Sequence, residues 1–186
     1  MSVEVIEDGD GLLICSVYPT PSSADKANQC GRGRSYRMNT HDNDVSVNFT
    51  VEVPAGVELE AVTVNGDVEV ESLQGAVDAV TVNGDITIET NGAASATTVN
   101  GSISAQVGEL TDDAEFTTVN GGITLWLPAD VSADVDATTV NGTIETDFPI
   151  TIKGRWGPRS ASGEIGGGGA NLEITTVNGS IDILRS

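Results

Sequence analysis

Residues 81–86 read Thr-Val-Asn-Gly-Asp-Ile and residues 98–103 read Thr-Val-Asn-Gly-Ser-Ile, so one short pattern returns after 17 residues. The tetrapeptide Thr-Val-Asn-Gly occurs six times, starting at Thr63, Thr81, Thr98, Thr118, Thr139 and Thr176. The successive spacings are 18, 17, 20, 21 and 37 residues. A period near 18 that keeps the same side chain in each position indicates a repeat architecture with stacked units.

The long last spacing predicts a degenerate copy of the repeat. Residues 160–165, Ser-Ala-Ser-Gly-Glu-Ile, divide the gap of 37 residues into 21 and 16. Residues 46–51, Ser-Val-Asn-Phe-Thr-Val, start 17 residues before Thr63 and fit a further copy. We therefore predict eight coils.

Apolar residues alternate with polar or small ones in each repeat, as in a strand with one buried face and one solvated face. The residue after each Thr or Ser is Val or Ala, which places a first apolar column there. A second column, two residues after the Gly position, consists of Val51, Val68, Ile86, Ile103, Ile123, Ile144, Ile165 and Ile181. Asn and Gly are expected to form the corner, because both tolerate the left-handed backbone region.

Two all-β folds use such a corner. Asn-Gly is also the strongest short-range hairpin signal, so an antiparallel meander, sandwich or propeller is the alternative. The regular period favours a single-stranded parallel β-helix, or β-solenoid, of about eight coils in which like residues stack at roughly 4.8 Å. Asparagine amides would then hydrogen-bond along the axis as a corner ladder, formed by Asn48, Asn65, Asn83, Asn100, Asn120, Asn141 and Asn178.

The first 45 residues differ from the repeats of residues 46–186. They contain two short apolar stretches around an acidic, Gly-containing turn and then an irregular segment, which predicts a hairpin and a cap within the same domain. Cys15 and Cys30 lie in this region. An even pair of cysteines in a loop-rich segment is typical of a disulfide, with two reduced thiols as the alternative.

The location is inferred from the apolar pattern and the cysteines. No apolar run approaches the roughly 18 residues needed to cross a bilayer, so we expect no membrane span. The N-terminus has neither the basic nor the apolar part of a signal peptide. The chain is therefore either cytoplasmic or, after removal of a signal peptide, extracellular or at the cell surface, and the cysteine pair favours the second location.

Charge is distributed unevenly. The net charge is −20, and residues 38–152 contain twenty Asp and Glu but no Lys or Arg. Such a surface repels phosphate backbones, so nucleic acid is not an expected partner. A solvated acidic surface is the simplest interpretation, and cation binding or subunit contact is the alternative. Four basic residues near the N-terminus are candidate assembly contacts with the acidic surface of a neighbouring subunit: Lys26, Arg32, Arg34 and Arg37.

Reactive side chains are scarce. His41 is the only histidine, which excludes a histidine metal cluster, and it lies in a polar turn. We therefore expect no catalytic residue, cofactor or metal site. The rival from another class is a glycan-cleaving β-helix enzyme that uses two of the many carboxylates.

The threonines of the tetrapeptide suggest a less favoured alternative. A rank of stacked threonine hydroxyls and methyls, from Thr63 to Thr176, could form an ice-binding surface. The preceding Thr97, Thr117, Thr138 and Thr175 are adjacent in sequence, so they would point to the opposite face.

Three motifs together resemble a bacterial family of uncharacterised cell-envelope β-repeat proteins that are called adhesins. They are the recurring Thr-Val-Asn-Gly-Asp/Ser-Ile, Val-Glu-Val-Pro-Ala-Gly-Val at 51–57, and Gly-Glu-Ile-Gly-Gly-Gly-Gly at 163–169. The resemblance covers about residues 45–186. It implies a β-repeat fold at the cell envelope, without assigned catalytic residues, and therefore a structural or adhesive function or a glycan or other cell-surface ligand.

The end of the chain suggests self-association. The last repeat is followed only by Ile-Asp-Ile-Leu-Arg-Ser at 181–186, so we expect the final coil to present an uncovered edge. Unpaired backbone groups at such an edge can pair with another chain, which predicts end-to-end fibres.

Overall fold

The computed structural model describes residues 1–9, 11–31, 36–41, 43–153 and 158–186. These residues form strands and turns without a helix, which confirms the all-β class. The chain divides into two compact units, Met1–Val51 and Glu52–Ser186.

The first unit is built on an antiparallel hairpin. Strand β1 (Ser2–Asp8) pairs with β2 (Gly11–Val17) over its full length. A small cluster of Leu13, Cys15, Val17 and Cys30 covers one face of β2. Residues 43–51 form no strand, and whether this unit caps the coils stays a prediction.

The second unit consists of two sheets, and each coil supplies one strand to each sheet. The strands alternate between the sheets along the chain as far as residue 146, after which three consecutive strands belong to the larger sheet. The strands of the eight-stranded sheet are β3 (Leu59–Val62), β5 (Val77–Val80), β7 (Ala94–Thr97), β9 (Ala114–Asn120), β11 (Ala133–Asn141), β13 (Thr151–Lys153), β14 (Arg159–Ile165) and β15 (Ala170–Asn178). Those of the six-stranded sheet are β4 (Val68–Leu73), β6 (Ile86–Thr90), β8 (Ile103–Val107), β10 (Ile123–Leu127), β12 (Ile144–Thr146) and β16 (Ile181–Arg185).

The coils do not stack in the order of the sequence. The sheet orders are β13-β14-β11-β15-β9-β7-β5-β3 and β12-β16-β10-β8-β6-β4. The final coil, β15 and β16, therefore lies between the coil of β9 and β10 and the coil of β11 and β12. Both of its strands are paired on both sides. The predicted uncovered edge at the last coil is therefore wrong. End-to-end fibres were inferred from that edge and lose this support.

The prediction of eight coils in one parallel helix is also wrong in detail. The described residues form six coils, because residues 46–51 form no strand and residues 160–165 belong to β14. Strand β14 runs antiparallel to both β11 and β13, so the larger sheet is mixed. The spacing of 37 arises because the chain passes one position of the stack, forms the β13-β14 hairpin and returns to fill that position.

The core lies between the two sheets and is filled mainly by aliphatic residues. The second apolar column of the sequence stacks in register in the order Val68, Ile86, Ile103, Ile123, Ile181 and Ile144. Ile86, Ile103 and Ile181 are at most 1% exposed. Burial of one such side chain stabilises the fold by roughly 1.5–3 kcal/mol. The members Val51 and Ile165 do not belong to this stack, because neither lies in a strand of the six-stranded sheet.

A local cap closes the core beyond β12. Phe148 is 4% exposed and Ile150 packs against the same hydrophobic cluster. The guanidinium of Arg185 lies 5.2 Å from the centre of the Phe148 ring, a distance compatible with a cation–π interaction. The backbone N–H of Asp147 donates to the carbonyl of Ile183 at 2.9 Å. Side chains therefore cover the core at this end of the stack, and the larger sheet continues past β11 as the antiparallel strands β14 and β13.

Candidate binding surface along the asparagine corner

The threonine of five of the six repeats is buried in the protein, and Thr63, in the outermost coil, is half-buried. Thr81, Thr98, Thr118, Thr139 and Thr176 are at most 1% exposed. Each hydroxyl donates to the carbonyl of the corner glycine in the adjacent coil, at distances between 2.8 and 3.0 Å. The hydrogen bond offsets the cost of burying the hydroxyl. The predicted ice-binding rank is therefore wrong, because its hydroxyls are inside the protein.

Each corner glycine packs against the carbonyl of the corner glycine next to it. A Cβ at Gly84, Gly101, Gly121, Gly142 or Gly179 would overlap that carbonyl oxygen. Among the corner residues in the described structure, only Gly66, at the outer end of the row, has a left-handed φ, of 149°. We expected Asn and Gly at the corners because both tolerate a left-handed backbone, and this explanation is wrong for the remaining corners. Glycine is needed there because two backbones approach closely.

Six of the seven predicted asparagines form one row. The side-chain Nδ2 of one donates to Oδ1 of the next at 2.8 to 2.9 Å. In stack order the row is Asn65, Asn83, Asn100, Asn120, Asn178 and Asn141. Asn48 lies in the first unit, outside any strand, and Phe49 follows it where the corner requires glycine.

The valine of each repeat faces solvent rather than the core. Because Thr points inward, the next residue points outward, and this contradicts the expectation that the first apolar column is buried. The exposed fractions are 59% for Val64, 37% for Val82, 38% for Val99, 37% for Val119 and 38% for Val140. Val177 in the inserted coil is half-buried. We call the stacked Val and Asn side chains of the six repeats the asparagine corner.

The outer face of the eight-stranded sheet carries two further columns beside the asparagine corner. Half-buried threonines, Thr97, Thr117, Thr175 and Thr138, stack on neighbouring strands. These threonines precede the tetrapeptide threonines, and the prediction that they point to the opposite face is confirmed. The other column is acidic and contains, in stack order, Glu60, Asp78, Ser95, Glu115, Glu173 and Asp136.

Crowding of carboxylates affects one acid in this column. Partial burial, followed by the nearby charges of Glu60 and Glu115, raises the pKa of the Asp78 carboxyl. On the other sheet, partial burial and then the charge of Glu145 raise the pKa of Asp182. Ionisation of either group is therefore opposed by its surroundings.

The chain was compared with models of known protein families. The model of the Toastrack DUF4097 family matches residues 32–184. The chain belongs to the Toastrack DUF4097 family. Comparisons with curated proteins and with solved structures gave no match. Membership agrees with the resemblance to uncharacterised β-repeat proteins.

The cysteines of this Toastrack chain form a disulfide. Cys15 and Cys30 are bonded, with an S–S distance of 2.03 Å and a Cα–Cα distance of 5.7 Å. Both side chains lie in the small cluster of the first unit. Disulfides persist mainly in oxidising compartments.

The four predicted assembly contacts differ in position. Lys26 is exposed, and Arg37 is half-buried with its backbone bridged to Gln29. Arg32 and Arg34 lie outside the residues that the structure describes.

Other site chemistry was sought in the part of the chain that the structure describes. It contains no group of three or more His, Cys, Asp or Glu side chains placed to hold a metal ion. It also contains no buried side-chain N or O atom without a hydrogen-bond partner. A helix with the length and hydropathy to cross a bilayer is likewise not found among these residues.

Proposed function

We propose that this protein is a non-enzymatic, adhesin-like module of the cell surface that binds an extended neutral glycan along its asparagine corner. The observation that carries the proposal is the row of exposed amides beside a row of exposed valines, repeated over six stacked coils. This arrangement combines hydrogen-bonding groups with apolar contact area on a regular surface.

The amides keep hydrogen-bonding capacity for a ligand. An asparagine side chain has two N–H donors and an oxygen with two lone pairs. In the ladder, an interior amide such as Asn100 uses one N–H and one lone pair for its neighbours. The remaining donor and acceptor can therefore bind sugar hydroxyls, while Val99 and Val119 contact the apolar faces of sugar rings.

The periodicity suits a linear polymer. Neighbouring strands lie roughly 4.8 Å apart, which is close to the length of one sugar in an extended β-linked glycan. A chain that lies along the stack would meet the same donor, acceptor and methyl groups at every sugar. Many weak contacts along one chain can together give useful affinity.

The charge favours a neutral glycan over an anionic one. The net charge of −20 and the acidic column beside the corner would repel uronic acids or phosphate-bearing polymers. The Cys15–Cys30 disulfide supports a location outside the cytoplasm, where such glycans occur.

Co-sedimentation with insoluble cellulose, chitin and β-mannan, which are three neutral glycans, tests this function. We expect at least one polymer to bind the protein, and the double variant Val99→Lys and Val119→Lys to lose roughly tenfold or more in affinity, about 1.4 kcal/mol. The matched control, Thr87→Lys and Thr124→Lys, makes the same charge change on the outer face of the six-stranded sheet and should bind normally. Equal loss in both variants, or no binding to any of the three polymers, would refute the proposal.

An assay of reaction products distinguishes glycan binding from the alternative function, glycan cleavage. Incubation with soluble oligosaccharides of the bound polymer should release no new reducing ends. Release of reducing ends that is lost when one carboxylate pair is replaced would instead establish a glycan-cleaving enzyme.

A further inference from the structure

The final coil occupies a slot that the rest of the chain builds. Strand β15 pairs with β9 on one side and β11 on the other, and β16 pairs likewise with β10 and β12. Backbone hydrogen bonds join both sides, from Gly121 N–H to Asn178 O and from Gly179 N–H to Asn141 O, each 3.1 Å. In both sheets the slot walls are therefore hydrogen-bonded to this coil rather than to each other, and residues 128–132 connect them along the chain.

The coil also supplies a large part of the local core. Leu172, Ile174, Ile181 and Ile183 are at most 1% exposed. If the coil were absent, β9 and β11 would lie about two strand spacings apart, roughly 9.6 Å, with unpaired backbone edges and an open core between them. A coil must therefore fill the slot. The strands on either side can pair with any coil of this sequence, whether it comes from the same chain or from a second copy.

A glycine hinge connects the coil to the rest of the chain. Strands β14 and β15 lie on opposite sides of β11, so residues 166–169 must cross the start of β11. A Cβ at Gly166 would come within 2.5 Å of the carbonyl oxygen of Val131, and one at Gly169 within 2.7 Å of that of Ser132. Gly166, Gly167 and Gly168 have φ values of 65°, 105° and 81°. Insertion into the slot of the same chain therefore depends on four consecutive glycines.

We propose that residues 170–186 form an exchangeable coil and that the partner is a second copy of this chain. In a reciprocal exchange, each chain inserts its coil into the slot of the other and makes a closed two-fold dimer. The hydrogen bonds and buried contacts of the coil are the same in both forms, because slot and coil keep their sequences. Only the hinge changes: it straightens to span up to about 13 Å and no longer needs a left-handed backbone. This inference does not depend on glycan binding.

Gly167→Ala tests the role of the hinge. No atom lies within 4 Å of the added Cβ, so the substitution acts through backbone strain at φ 105° rather than through a clash. After refolding at a series of concentrations, sedimentation equilibrium should show a roughly tenfold or larger rise in the dimer association constant, because two strained hinges are relieved per dimer. Gly56→Ala is the matched control, since Gly56 has φ 79° and equally open space but lies outside the hinge. It should remain as monomeric as the unchanged chain.

A cysteine pair distinguishes exchange from any other dimer. Thr117 and Thr175 are outward-facing partners in register on β9 and β15. With both changed to Cys in the Gly167→Ala chain, oxidation of an exchanged dimer joins two chains, whereas oxidation of an unexchanged chain closes within it. Denaturing electrophoresis without reductant should show covalent dimers that increase with the dimer fraction.

Three outcomes would overturn the proposal. They are a Gly167→Ala chain that stays monomeric at every concentration, a dimer in which the cysteines bond within one chain, and an equal rise in dimer for Gly56→Ala. If Gly167→Ala does not fold, the same cysteine pair in the otherwise unchanged chain, refolded at high concentration, decides the question. Covalent dimers there support exchange and their absence refutes it.

Discussion

Thr118→Val tests whether the buried hydroxyls hold neighbouring coils together. Thr118 is 1% exposed, and its hydroxyl donates to the carbonyl of Gly101 at 2.8 Å. Valine has nearly the same shape, so the substitution removes the donor without leaving a cavity. The carbonyl of Gly101 then loses this partner in a part-buried position.

The magnitude follows from two opposing contributions. A buried acceptor without a donor costs about 1–3 kcal/mol, and the added methyl group recovers roughly 0.8 kcal/mol when it is buried. The free energy of unfolding should therefore fall by roughly 0.2–2.2 kcal/mol, with a central value of about 1 kcal/mol, against the 5–15 kcal/mol typical of a domain. For a chain of this size a loss of about 1 kcal/mol lowers the melting temperature by roughly 2–4 °C.

Urea denaturation followed by circular dichroism measures the change, with Thr117→Val as the control. Thr117 is the preceding residue of β9, and its hydroxyl donates to the surface carboxylate of Glu115 at 3.1 Å. Its replacement should change stability by no more than about 0.5 kcal/mol. If the two variants have equal stability, or if Thr118→Val is the more stable, the hydroxyl-to-carbonyl bond does not explain the threonine column.

Three further predictions concern the corner glycine, the acidic column and the disulfide. Gly121→Ala should destabilise the protein by about 3 kcal/mol or more in thermal melts, because the added Cβ would overlap the carbonyl of Gly101. The control Gly122→Ala should destabilise it clearly less, because its Cβ would lie 3.3 Å from the nearest oxygen. Asp78→Asn should stabilise the protein at neutral pH: a raised pKa means that the folded chain holds the proton more tightly than the unfolded chain, so ionisation opposes folding. That gain should disappear as the pH falls below the ordinary value of 3.8, and a gain that persists in acid would show another cause. Reduction of Cys15–Cys30 should destabilise the first unit by roughly 3 kcal/mol, seen as faster hydrogen exchange in β1 and β2, and unchanged exchange there would contradict this.

Much of the candidate surface could be read from the sequence. Six of the seven asparagines chosen for the ladder lie in one row, because a fixed period places the same residue at the same point of each coil. The sequence could have excluded the seventh, Asn48, from the ladder, because Phe49 occupies the place where the other copies have glycine. The exposed valines were missed because valine is usually buried and alternation alone does not say which face is inside.

The sequence by itself determined the all-β class, the repeat length, the aliphatic column of the six-stranded sheet and the position of the corners. These features depend on contacts between residues of the same or equivalent repeats, and the pattern of side chains records them directly. The tertiary structure decided which face of the corner strand is buried, because that choice rests on a hydrogen bond from Thr to the glycine of another coil. It also decided the order of the coils. Nearly identical repeats can pair with one another in any order, so only the connections between them, above all the glycine crossing at 166–169, place the last coil inside the stack.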